Sequence, residues 1–239
     1  MKLSRIFFLL LYSCLNFAQT LDELGVHYNT DKSSLFHHYT KIYEKYFDPI
    51  KEKPLKFLEI GFSQGCSARM WEDYFSNADL YFIDINPETL TLLHDFKRTR
   101  LFLVDQENPA KLLSFINDVG GDFDMIIDDG GHTMKQQITS FKTLFPFVKS
   151  GGIYIIEDLH TSYTYVPYYA DGYGTANPNQ ETAVQFLQNL VHAINYPGAH
   201  TGCADYKKCR ADILAHLTEH EKEIESIHFY SSLCFIFKK

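Results

Sequence analysis

The chain reads as an open, doubly wound α/β domain: a mostly parallel sheet with helices on both faces, closed by a C-terminal antiparallel hairpin. Three observations predict it. Five short, almost wholly apolar runs alternate with segments of helical period, and continuous apolarity is what strands buried on both faces require. Each of those runs carries a glycine or an acid at its end or one residue before it. The last apolar runs, Ile227–Tyr230 and Leu233–Phe237, are separated only by Ser231-Ser232, the spacing of a hairpin.

In order, the strand candidates are Leu55–Gly61, Leu80–Ile85, Leu101–Asp105, Phe123–Asp128 and Gly152–Asp158. Helix candidates fall between them at Cys66–Phe75, Pro87–Phe96, Pro109–Val119 and Thr133–Val148. This βαβα alternation is the mark of a parallel sheet with helical crossovers. Ahead of the first strand, Tyr39, Ile42, Tyr43, Tyr46 and Phe47 recur at helical spacing and predict an amphipathic helix against the sheet. After the fifth, Thr161–Gln180 is rich in Tyr, Gly, Asn and Pro and reads as a long loop, of the kind that carries function or disorder. Helices over Glu181–Tyr196 and around Ala211–Glu223 precede the hairpin. The expected organisation is one domain, 19–239, with a helical entrance segment at about 24–50.

Composition narrows the function. The 239 residues carry 22 Lys+Arg against 30 Asp+Glu, a formal charge of −8. A chain this acidic lacks the basic footprint that nucleic-acid binding needs, and small or neutral polar substrates remain open. At the N-terminus, Lys2 and Arg5 precede an apolar run, Ile6–Leu15, with Ala18 at its exit. That is the order of a secretory signal peptide, and the run is too short for a stable membrane span. A buried or amphipathic N-terminal helix is the alternative. Cys203 and Cys209 stand in a polar loop where a local disulfide suits an exported chain, whereas Cys66 and Cys234 lie in apolar segments and read as packed thiols.

In such sheets ligands bind outside the carboxyl ends of the strands. The first strand ends in a turn carrying Gly61 and Gly65, the second in Asp84, placed to accept ribose hydroxyls, and the third in Asp105-Gln106, suited to an adenine edge. Together they describe a nucleoside-shaped slot. Ser63 and Cys66 stand where a nicotinamide fingerprint needs glycines, which turns the balance from a hydride cofactor toward S-adenosylmethionine. The fourth strand ends Asp128-Asp129-Gly130-Gly131-His132 and the fifth Glu157-Asp158-Leu159-His160. Asp129, Glu157 and Asp158 are the expected ligands of a divalent cation, without which they would repel one another, and His132 the expected base. Capping of the following helices is the plain alternative for these acids. His160 reads equally as a substrate-lining or structural residue, and His27, His37 and His38 as surface or loop residues.

These motifs resemble a known family. Asn29-Thr30-Asp31-Lys32, His37-His38-Tyr39-Thr40 and Ile42-Tyr43-Glu44 are similar to its GTDK…HGYTxxYE entrance, and Glu59-Ile60-Gly61 with Gly65 and Ser67–Trp71 to its EIGxxxGxSxRMW turn. Ile127–His132 is similar to its DDGSH, and Gly151–Tyr163 to its GGxYxIEDxHTSY. The family is that of class I S-adenosylmethionine-dependent methyltransferases resembling the macrolide and rhamnosyl sugar O-methyltransferases, with a Rossmann-like fold. The resemblance implies magnesium-dependent methyl transfer to a sugar hydroxyl. It implies that Glu59, Gly61, Gly65, Asp84, Asp105, Gln106 and Asp128 hold the cofactor, that Asp129, Glu157 and Asp158 hold Mg2+, and that His132 is the base. Asn29 and His38 stand at glycines of the family pattern, and Gly131 at its serine. S-adenosylmethionine is made inside cells, so the leader-like N-terminus stands in tension with it, and a cytoplasmic or leader-anchored enzyme is the alternative to export. An exported binding module without catalysis and a nicotinamide-linked oxidoreductase are the competing functions, and a homo-oligomer is left open.

Overall fold

The computed structural model describes residues 19–163, 179–202 and 211–239. The leader-like segment, the pair Cys203 and Cys209, and most of the loop Thr161–Gln180 lie outside the described residues. Seven strands form one sheet: β1 (Leu55–Ile60), β2 (Ala78–Asp84), β3 (Thr99–Leu103), β4 (Phe123–Asp128), β5 (Val148–Ile156), β6 (Ile224–Tyr230) and β7 (Leu233–Lys238). Their spatial order is β3-β2-β1-β4-β5-β7-β6. β1 to β5 pair in parallel, and the closing hairpin adds β7 antiparallel to β5. The chain leaves β1 toward β2 on one side and returns to β4 on the other. The strand order therefore reverses beside β1, where a ligand crevice forms.

Two apolar layers cover the sheet. α1 (Leu21–His27), α2 (Thr40–Phe47) and α3 (Cys66–Tyr74) lie on one face, where Tyr43, Phe47, Phe57 and Trp71 pack together. α4 (Pro109–Val119), α5 (Met134–Leu144) and α6 (Ala183–Thr201) cover the other, over Leu58, Phe115, Phe141 and Tyr154. Alternation along the strands sorts side chains between these layers. Phe57, Ile127 and Ile155 face the α1–α3 layer, and their neighbours Leu58, Ile126 and Ile156 face the other. No helix among the described residues is long and apolar enough to cross a membrane.

Several boundaries differ from the sequence reading for identifiable reasons. The segment Pro87–Asp95 is a 3-10 helix; the hydroxyls of Thr89 and Thr91 bond back to Asn86 O and Glu88 O, competing with the α-helical ladder. α5 stops at Leu144 ahead of Pro146, and β5 begins at Val148, so Glu157 and Asp158 lie just past the strand. The charged C-terminal segment is broken into α7 (Ala211–Leu214) and α8 (Glu219–Glu223), the second opened by a Thr218–Glu221 capping box. Cys234 is buried as expected, but Cys66 is only half-buried, at the start of α3.

Asn29 and His38 both adopt left-handed backbone, with φ of 54° and 61°. This is why glycine suits those two positions: only glycine enters that region without a Cβ penalty. The His38 side chain is exposed. His38→Gly is therefore expected to stabilise the fold by about 0.5–1 kcal/mol and to raise Tm by about 1–4 °C. A lower Tm on thermal unfolding contradicts this reading of the loop.

Candidate active site

The glycine turn after β1 is built from left-handed residues, Gly61, Ser63 and Gly65, with φ of 95°, 48° and 72°. A Cβ on Gly61 would sit 2.1 Å from the backbone oxygen of Asp129, so the turn presses against the β4 loop as only glycine allows. Asp84 clamps the turn from β2. Its Oδ2 accepts the N–H groups of Phe62 and Ser63 at 2.8 and 3.1 Å, and its Oδ1 that of Asn86 at 2.8 Å. A cavity of about 200 Å³ opens above, walled by Gly61, Asp84, Ile85, Val104, Asp105 and Gln106. Apolar Ile85 and Val104 with a polar rim suit a stacked base and its ribose. A second cavity of about 300 Å³ continues past Ser63 and Ser67 to Asn29–Asp31, and Gly61, Ser63 and Asp129 wall both.

The predicted cofactor residues separate into two groups. Gly61, Asp84, Asp105 and Gln106 line the first cavity, although Gln106 is also committed on both sides, donating to Asp128 Oδ1 at 3.0 Å and accepting from Gly131 N at 2.7 Å. Gly65, Glu59 and Asp128 stand behind the wall. The Gly65 turn packs on Phe62 and Phe96. Asp128 is fully buried, on the α4–α6 side, where Gln106, Ser140 and Tyr154 donate to it. Glu59 is fully buried on the opposite side, its Oε2 accepting from Ser67 Oγ at 3.0 Å and Trp71 Nε1 at 3.1 Å. Both hold the residues that shape the groove.

Strand parity explains where the other acids go. Ile60 pairs with Asp128, and Asp128 with Ile156, so Asp129 and Glu157 each stand one step beyond a strand on the α1–α3 side. There they meet Glu59 and a residue to which the sequence reading gave no role. Lys32, from the loop between α1 and α2, is fully buried, with its ammonium 3.3 Å from Glu59 Oε1, 2.9 Å from Glu157 Oε2, and against Asp129 Oδ2. Tyr43 donates to Glu157 Oε1, and Tyr39 donates to Asp158 Oδ1 at 2.8 Å. The signal in the sequence was the pair Tyr39 and Tyr43, one helical turn apart, since buried tyrosine hydroxyls seek partners; for Lys32 it was the place in Asn29-Thr30-Asp31-Lys32, the segment similar to the family's GTDK.

The expected metal trio is thus divided. Glu157 turns inward to Lys32 and Tyr43. Asp158, left-handed at φ 56°, turns outward, its Oδ2 3.3 Å from His132 Nε2, while Asp129 Oδ1 lies 3.8 Å from the same nitrogen. One ligand atom each from Asp129, His132 and Asp158 lies within 4.8 Å of the others, as does one each from Glu59, Asp129 and Glu157. Lys32 fills the second set. The first is part-exposed, rich in hard oxygen donors, and fits a divalent cation. The repulsion that the sequence reading assigned to a metal alone is met in part by Lys32.

Burial, and repulsion between neighbours, leave the acids of this cluster only partly compensated by Lys32. Burial pushes Glu59 up to about 7 and Asp128 up to about 6. Burial, then Asp129, holds Glu157 well above the usual carboxylate range, and burial raises Asp129 as well. Burial works against the Lys32 ammonium, but Asp129, Glu157 and Glu59 reverse it and hold lysine well above its ordinary value. At Asp158 burial is outweighed by His132 and the Tyr39 hydroxyl, and the carboxyl is lowered. His160 is held by Ser232, whose Oγ is 2.6 Å from Nδ1, and its ring is 6.1 Å from that of His37. A carboxyl with a raised folded pKa contributes stability that is present below its unfolded pKa and lost as pH rises through the folded value. Tm of metal-free protein should therefore fall as pH rises from about 5 to about 7.5, and added Mg2+ should raise it most at the upper end. A Tm indifferent to Mg2+ contradicts the charge deficit.

Residues 58–159 match the methyltransferase domain family. The chain is 33% identical over 226 residues to the 8-demethyl-8-alpha-L-rhamnosyl tetracenomycin-C 2'-O-methyltransferase of Streptomyces olivaceus, covering 92% of this chain and 54% of that one. It is 34% identical over 186 residues to the mycinamicin VI 2''-O-methyltransferase of Micromonospora griseorubida, covering 74% and 44%. A solved structure of the MycE methyltransferase of the mycinamycin biosynthetic pathway, in complex with Mg and SAH, superposes with a TM-score of 0.74 at 30% identity, over 92% of this chain and 54% of that one. The chain spans about half the length of these relatives. With the glycine turn, the strand-end acids and His132 in place, the chain carries a methyltransferase domain over residues 58–159 and is similar to relatives named as 2'-O- and 2''-O-methyltransferases.

Proposed function

We propose that the protein transfers the methyl group of S-adenosylmethionine to a hydroxyl of a sugar on a small glycosylated molecule, assisted by a divalent cation and a histidine base. The observation that carries this is the double membership of Asp129. It walls both cavities over the glycine turn and also belongs to the open donor set with His132 and Asp158. A nucleoside groove and a cation site thus meet at one side chain. The relatives act, by their names, on an alpha-L-rhamnosyl tetracenomycin-C and on mycinamicin VI, and the rhamnosyl chemistry of the first is carried here as the acceptor class.

Bound S-adenosylmethionine would supply an electrophilic methyl, and the cation a positive charge that orients a hydroxyl and lowers its pKa. The chain's own residues do the rest. Asp84 holds the turn so that its backbone approaches the ligand, and Asp105 and Gln106 edge the base pocket. Asp129 and Asp158, beside His132, would hold the cation. His132 Nε2 faces Asp129 and Asp158, and it is the nitrogen that would accept a hydroxyl proton. Nδ1 is buried, without a hydrogen-bond partner among the described residues. Once protonated, the ring is stabilised by Asp158 at 3.3 Å and Asp129 at 3.8 Å. Alignment of the hydroxyl with the methyl supplies the remaining gain, as effective concentration.

Calorimetry with S-adenosylmethionine and label transfer to rhamnosyl and other 6-deoxyhexosyl glycosides test the proposal. Asp84→Ala should weaken cofactor binding about tenfold or more, the loss of a charge-assisted hydrogen-bond set. His132→Ala should lower kcat by about 10²–10⁴-fold with cofactor affinity unchanged. Folded protein that binds no S-adenosylmethionine contradicts the reading, and binding without transfer to any glycoside favours a non-catalytic module.

A further inference from the structure

Lys32 comes from a loop far in sequence from every strand, yet it is fully buried and its ammonium reaches three carboxylates. Each belongs to a different part of the site. Glu59 holds Ser67 and Trp71, which anchor α3 beneath the glycine turn. Asp129 walls both cavities and offers its other oxygen to the His132–Asp158 set. Glu157 is tied through Tyr43 to α2. One buried charge therefore joins the nucleoside side of the site, the cation side and the entrance segment.

We propose that Lys32 is a positioning residue that couples cofactor binding to cation binding. By holding Asp129 Oδ2 it leaves Oδ1 turned toward His132, and by holding Glu59 it fixes α3 under the turn that faces the nucleoside. Whichever ligand arrives first orders a carboxylate that the other needs. Loss of the ammonium leaves Glu59, Asp129 and Glu157 to repel one another, and Asp129, the part-exposed member with 18% of its side chain accessible, is the one able to swing away. Burial keeps Lys32 itself off both ligands, so its action runs through the acids. Linkage makes the effect reciprocal: a cation that tightens nucleoside binding is tightened by it to the same factor.

The inference rests on the methyl-transfer reading, and its test separates the two. Mn2+ uptake is followed by the resonance of the free ion, with and without S-adenosylhomocysteine, and S-adenosylhomocysteine binding by calorimetry with and without Mn2+. In the full chain each ligand should tighten the other by about fivefold or more. Lys32→Met should lose about 10–100-fold in Mn2+ affinity and bring the mutual factor to about one. Because that variant strands three buried acids, Lys32→Met is also made on a Glu59→Gln background, where one acid is neutral, with Glu59→Gln alone as its reference. The double variant should show the same loss relative to that reference. Variants that keep both the Mn2+ affinity and the mutual factor of their references overturn the role of Lys32 and leave methyl transfer standing. A full chain that takes up neither Mn2+ nor S-adenosylhomocysteine contradicts the methyl-transfer reading itself.

Discussion

Four carboxylates, Glu59, Asp129, Glu157 and Asp158, are gathered at the ends of neighbouring parallel strands, and among the described residues one buried ammonium answers three of them. The gathering follows from topology. Parallel strands deliver their carboxyl ends to one edge of the sheet, and register places Asp129 and Glu157 level with each other. Leaving such groups uncompensated is costly, since breaking a buried pair by removing one partner costs about 3–5 kcal/mol. The chain therefore has to bring a cation and hydroxyl donors over the edge, and the segment ahead of β1 does so with Lys32, Tyr39 and Tyr43. In this light the entrance segment is part of the site's electrostatic structure as much as its cover.

The same edge holds most of the strained backbone. Among the described residues seven that are not glycine have positive φ, and all except Asp122 lie around the site: Asn29, His38, Ser63, His132, Asp158 and Ser232. Each such conformation costs about 1–2 kcal/mol, and each re-aims a side chain or turn that an extended backbone would point elsewhere. At Asp158 the reversal sends the carboxylate toward His132, while its neighbour Glu157 points to Lys32. Two consecutive acids thereby serve opposite sides of one cluster.

The sheet was legible because buried parallel strands announce themselves as unbroken apolar runs; Phe123–Asp128 and Pro109–Val119 fall within the same bounds in sequence and structure. The 3-10 helix at Pro87–Asp95 was not, because its cause is a pair of threonine hydroxyl bonds that hydrophobic period does not report. Glycine turn, Asp84 and the strand-end acids were identified from their positions after strands. Parity carried a finer lesson: consecutive residues such as Asp128 and Asp129 face opposite layers, so one supports Gln106 and the other walls the groove. Lys32 was marked only by its place in the GTDK-like entrance motif, which gave it no role. Its partners are 27, 97 and 125 residues away, and a lone lysine in a polar loop carries no local sign of burial.

On the proposed mechanism a cation and a nucleoside meet at Asp129 while Lys32 keeps its inner place. The most direct measurement is a crystal structure with Mn2+ and S-adenosylhomocysteine, read by the anomalous signal of the metal. A metal peak beside Asp129 and Asp158, nucleoside density along the groove from Asp84 to Gln106, and Lys32 still among Glu59, Asp129 and Glu157 are the expected result. A metal peak in the place of the Lys32 ammonium, or a nucleoside bound away from the glycine turn, would contradict it.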